Sequence, residues 1–137
     1  LTDKLTAPIE LLKYIVEETF RRYEGEEGFR VTQVDMYTMV DAESIERVWF
    51  DCEDFGDEIA SEIRYGEVET GLEAPYNRHY EAREVGIQIT DGRWIGWTHW
   101  YGGGKHGDPE SIDWQPYAYF LECTEKLVKV KTWKAVD

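Results

Sequence analysis

Apolar residues recur at helical spacing at Ile9, Leu12, Val16, Phe20 and Tyr23, with Ile15 alongside. They predict a helix that Thr6 and Pro8 open and the turn at Gly25 to Gly28 ends. The period then changes. In "FRVTQVDMYTMVDAESIERVWFDCED", Val31, Val34, Met36, Thr38 and Val40 alternate imperfectly with polar residues, as in a strand. "SIERVWF" reads as its hairpin partner, after a turn near Asp41 to Ser44. Over residues 54–65, Phe55, Ile59 and Ile63 stand four apart, the narrow apolar stripe of a short helix. A strand is the alternative there, because Gly56 weakens the helix. Residues 66–80, with Gly66, Gly71 and Pro75, read as a loop.

The pattern is clearest in "EVGIQITDGRWIGW". Val85, Ile87 and Ile89 share one face, Asp91-Gly92 supplies a two-residue turn, and a second strand starts at Arg93. Beyond a glycine loop and a helical turn at Pro109 to Asp113, "YAYFLECTEKLVKVKTW" reads as a last hairpin turning near Glu125 and Lys126. These elements predict one α+β domain over residues 1–137: an antiparallel sheet of about five or six strands with one or two helices packed on one face.

Within that sheet, "WIGWTHW" places Trp94 and Trp100 on one face with Gly96 and Thr98, and Ile95, Trp97, His99 and Tyr101 on the other. Large aromatics on both faces predict a central strand covered on both sides, its indole N–H groups held by local partners. The functional alternative is an aromatic ledge that stacks a base, a sugar or a peptide side chain.

Composition adds mainly charge. The 137 residues carry a net charge of −14, with 42% hydrophobic and 15% aromatic residues. Such a chain is expected to fold, and its acidity sets it against nucleic acid and anionic membranes. No apolar run approaches a membrane span, and no secretory signal is read at the N-terminus. The charge is uneven. Residues 41–73 hold 12 acids against Arg47 and Arg64, whereas Lys126, Lys129, Lys131 and Lys134 stand together near the C-terminus. Cys52 and Cys123 are the only cysteines, and they read as reduced, mostly buried thiols of a cytoplasmic protein.

Catalytic and cofactor motifs fit poorly. Gly102, Gly104 and Gly107 satisfy G-x-G-x-x-G, but Asp108-Pro109 starts at most two helical turns before Pro116 stops them. A dinucleotide site needs a long helix there, and Asp108 and Glu110 would repel a phosphate. Gly104-Lys105 lacks the Ser or Thr of a phosphate-binding loop. His79, His99, His106, Asp108 and Cys123 show no zinc-type spacing, so no metal and no cofactor is expected. The remaining enzyme reading is a small hydrolase or transferase using His99, His106 and Asp108. The plainer reading makes the glycine loop an exit turn that presents Lys105, His106 and Asp108 as a contact surface.

The acid block is the stronger candidate. On a helix, carboxylates three or four apart lie roughly 5–6 Å from one another, a spacing that imitates a row of phosphates. Asp54, Asp57, Glu58 and Glu62, flanked by Asp51, Glu53, Glu67, Glu69 and Glu73, form the candidate partner-binding set. "DGRWIGWTHWYGGGKHGDPESIDW" with "AYFLECTEKLVKVKTW" resembles small uncharacterised proteins of bacteriophages, prophages and plasmids over roughly the last 55 residues. The resemblance implies a mobile-element origin and carries no activity or site residue with it. The expectation is a non-enzymatic inhibitor of anti-CRISPR or anti-restriction type, which occupies the nucleic-acid-binding surface of a basic nuclease or effector complex by charge mimicry. An immunity-type protein that neutralises a basic toxin is the alternative of the same class.

Overall fold

Between residues 31 and 45 two reciprocal caps commit the backbone to helix in the computed structural model, which describes residues 4–136. The Asp35 carboxylate accepts from the Thr32 N–H at 2.8 Å, and the Thr32 hydroxyl accepts from the Asp35 N–H at 3.3 Å. Asp41 and Ser44 repeat the exchange at 2.8 and 3.0 Å. Each box satisfies N–H groups that a helix start leaves without partners. The first opens α2 (Gln33–Tyr37) and the second opens α3 (Ala42–Ile63). The strand and hairpin partner expected over 31–50 therefore do not form. Ile45, Val48, Cys52 and Ile59 keep helical spacing along α3 and are all buried, so one 22-residue stripe overrides the local β-propensity of Val48, Trp49 and Phe50. The short helix expected at 54–65 is the second half of this rod.

α1 (Ala7–Tyr23) packs along α3. Their contact divides into two apolar clusters. In the first, Val16 and Phe20 meet Ile45, Val48 and Cys52, with Val31 and Met39 closing one end. In the second, Leu11, Ile15, Ile59 and Ala60 meet the sheet residues Val85, Ile87, Ile95 and Trp97. The Trp49 ring packs against both clusters. It lies over Gly56, where an added Cβ would stand 2.2 Å from its Cζ3. This contact explains the glycine inside a long helix.

The sheet runs β1-β2-β3-β4, antiparallel throughout, from β1 (Val68–Glu69), β2 (Glu81–Gln88), β3 (Trp94–Tyr101) and β4 (Tyr119–Leu121). Among the described residues the fold is α+β with four strands and three α-helices, not five or six strands with one or two helices. Two expected strands became helix, the second strand of the last hairpin is absent, and β1 forms inside the segment expected as a loop. β4 pairs with only Trp94, Ile95 and Gly96, and residues 122–136 run on as exposed chain without regular secondary structure. The turn at Asp91-Gly92 also differs from expectation. Ile89 and Arg93 still pair, at 2.8 Å, so the loop holds three residues and closes on Gly92 at φ 94°.

Register assigns the faces. Val85 lies opposite Trp97, and Ile87 opposite Ile95, on the face under α1 and α3. Glu84 lies opposite Thr98, and Gly86 opposite Gly96, on the reverse face. Among the described residues no α-helix covers that reverse face, where Trp94 and Trp100 are half-buried. β3 is central, but it is not covered on both sides as expected.

Candidate functional site

α3 carries most of the acid block. Asp51, Glu53, Asp54, Asp57, Glu58 and Glu62 all lie exposed on it, along a rod about 33 Å long. Arg47 is its only base, and Phe50, 72% exposed, stands among the acids. Two of the acids are engaged. Glu58 accepts from the Tyr23 hydroxyl, and Glu62 pairs with Arg22 at 2.8 Å. The hydrogen bond from Arg22 holds the Glu62 carboxyl below the ordinary glutamate range. These two brace α3 on α1. Asp51, Glu53, Asp54 and Asp57 form the outward set. Glu67 follows the helix, Glu69 lies in β1 with Arg83 at 4.0 Å, and Glu73 belongs to the next loop. The nine acids are thus spread over α3, β1 and the segments that follow each.

Lys105 and His106 are exposed in a 3-10 turn (Gly104–His106), and the Asp108 carboxylate accepts from the Glu110 N–H at 2.9 Å. The loop rests on Tyr80, whose hydroxyl donates to the His106 carbonyl at 2.8 Å. The His106 ring stacks on His79, with centroids 3.9 Å apart. His99 sits in a different environment. It is buried on the helix-covered face against Tyr65 and Tyr101, and its Nδ1 has no hydrogen-bond partner. Burial, then the charges of Arg64 and Arg83, push its pKa down to about 4. Of the residues of the hydrolase reading, His99 is thus buried, whereas His106 and Asp108 are exposed in the loop. Among the described residues, no group of three or more His, Cys, Asp or Glu is placed to hold a metal ion. Both cysteines are free thiols. Cys52 is buried, and burial followed by Asp51 and Glu53 pushes its thiol up to about 11. Cys123 is exposed, contrary to expectation, because it lies beyond the end of β4.

Sequence reasoning missed the arrangement on the open face of the sheet. Gly86 and Gly96 face each other there, and the absence of side chains leaves a notch. Leu121 and Tyr119 lie across it, so closely that a Cβ on Gly96 would come within 2.9 Å of the Tyr119 ring. The tyrosine hydroxyl thereby reaches Glu84 and donates to its Oε1 at 2.5 Å. Burial, then this bond, raises the Tyr119 pKa. Glu84 is only 5% exposed, and its Oε2 is buried without a partner. Around the pair opens a cleft of about 770 Å³, lined by Glu73, Glu84 and Asp113 and by the rings of Trp100, Trp114 and three tyrosines. Among the described residues its lining contains no base.

Arg64 was missed as well. Its carbonyl, at the end of α3, accepts from the Trp97 indole N–H at 2.9 Å, and its guanidinium donates to the Trp100 carbonyl at 2.9 Å. One buried residue thus locks the helix end to β3. No family model, curated protein or solved structure matches the chain.

Proposed function

We propose that this chain is a non-enzymatic binding protein that occupies a basic, nucleic-acid-binding protein surface by charge mimicry. The observation that carries the reading is the continuity of α3. Asp51, Glu53, Asp54 and Asp57 project from one rigid element around an exposed Phe50. Carboxylates held on a rod need no ordering when they meet a basic groove, and an aromatic among them supplies apolar contact at the centre. A net charge of −14 draws a basic partner in and keeps nucleic acid away. With the mobile-element origin that the C-terminal resemblance implies, the partner is a defence nuclease or effector complex, and the role is counter-defence inhibition in the cytoplasm.

The test changes Asp51, Glu53, Asp54 and Asp57 to Asn or Gln, sparing Glu58 and Glu62 because they hold α3 on α1. Melting should be retained. Affinity for a basic partner captured from the native host should fall at least about tenfold, its salt dependence should flatten, and DNA should compete with the unaltered chain. Unchanged affinity, or a partner that binds the chain and DNA together, would remove the proposal.

A further inference from the structure

The open face of the sheet carries a second site, independent of the acid rod. We infer that the cleft around Glu84 receives an organic cation, a guanidinium or alkylammonium group, with the Glu84 carboxylate as its counter-ion and the rings of Trp100, Trp114 and Tyr119 as its walls.

Three observations converge on this chemistry. The first is the state of Glu84. A carboxylate withdrawn from water needs partners for both oxygens, because an unmet acceptor costs far more when charged than when neutral. Tyr119 serves Oε1, and nothing serves Oε2. A cationic donor is the partner best suited to fill that deficit. The second is the lining. Glu73 and Asp113 repeat the negative charge around the cleft, and among the described residues no lysine, arginine or histidine lines it to neutralise them. An anion or a nucleotide would be repelled, and a neutral ligand would leave the charge unmet. The third is the aromatic wall. Indole and phenol faces attract a cation through their quadrupoles, and the attraction grows as water is excluded. Carboxylates and several rings meeting in one concavity form the usual recognition pattern for guanidinium and substituted ammonium groups.

The glycine pair explains how the chain builds this site. A side chain at 86 would press on the tip of Leu121, and one at 96 would displace both Leu121 and the Tyr119 ring. The tyrosine hydroxyl would then lose Glu84.

The inference is tested by nuclear magnetic resonance titration of the ¹⁵N-labelled chain, following the indole N–H signals of Trp100 and Trp114. The probes are agmatine, an acetylated and amidated Gly-Arg-Gly peptide, and its neutral citrulline counterpart. Saturable shifts are expected with the two cations and none with citrulline. Tighter binding of the peptide assigns the cation to a protein side chain, and tighter binding of agmatine assigns it to a free small amine. Glu84→Gln, which retains an acceptor for Tyr119, should weaken binding at least about tenfold. If that variant folds poorly, Glu73→Gln combined with Asp113→Asn, both exposed, should weaken binding about threefold or more. The α3 variants should leave cleft binding unchanged, which separates failure here from failure of the acid-rod reading. Absence of saturable shifts, equal shifts with the citrulline peptide, or full affinity in the folded cleft variants would overturn the inference.

Discussion

The two faces of β3 are made from one run of residues and have different fates. Trp97 points under α1 and α3, is fully buried, and spends its indole N–H on the carbonyl that ends α3. Trp100, three residues on, points to the open face, is half-buried, and walls a cleft with three carboxylates. Aromatic content does not distinguish a core from a binding wall. The partner strand does. β2 sets Val85 and Ile87 beside Trp97, and Glu84 and Gly86 on the side of Trp100. A face becomes core when the neighbouring strand is apolar there and a helix stripe is available to cover it. It stays open when the neighbour is a glycine or a carboxylate.

The sharpest way to break this comparison is to truncate both rings. Trp97→Ala should cost about 3–5 kcal/mol, read as a large fall in melting temperature. Trp100→Ala should cost about 1–2 kcal/mol, because its ring is covered on one side only. Equal losses would mean that both faces are core.

The next effect belongs to the covered face and to pH. Unfolded, His99 takes up its proton near the ordinary value of 6.5; folded, it does so near 4. The fold therefore favours the neutral ring. Its contribution is complete above about pH 6.5 and is lost as pH falls towards 4, by about 2–3 kcal/mol. Urea denaturation of His99→Asn across that window should show a flatter stability profile than the unaltered chain. An unchanged slope would refute the assignment. The smallest effect sharpens the open face. Gly96→Ala should displace the Tyr119 ring at a cost of about 1–2 kcal/mol. In ultraviolet titration, Tyr119 should then ionise at lower pH, since it loses both its cover and its carboxylate partner.

α1 and the β2–β3 hairpin were legible from the sequence because their apolar positions keep a single period and end at glycines. α3 was not. Its stripe passes through Cys52 and Gly56, which do not read as apolar anchors, and its first half carries Val48, Trp49 and Phe50, which favour strands. The readable sign was Asp41 followed three residues later by Ser44, a cap with its usual residues exchanged. Likewise, the acid block was visible as a count, but its geometry depended on 42–63 being one helix. The cleft could not be read at all. Glu84, Trp100 and Tyr119 come from three strands, and only the register brings them together. Trp97 as core was foreseen, and an open aromatic ledge was only the alternative for Trp100, because periodicity gives a strand two faces without saying which one is covered.

The Trp49 ring over Gly56 bears on cooperativity. The helical cluster around Val16 and Ile45 and the sheet cluster around Ile15 and Trp97 both pack on this indole, which adds a side-chain joint to the one that α1 and α3 already make. Helix propensity alone would favour alanine at position 56. Here the added methyl group would lift the ring off both clusters. Position 56 therefore holds the residue that is worse for the helix and better for the joint between the clusters.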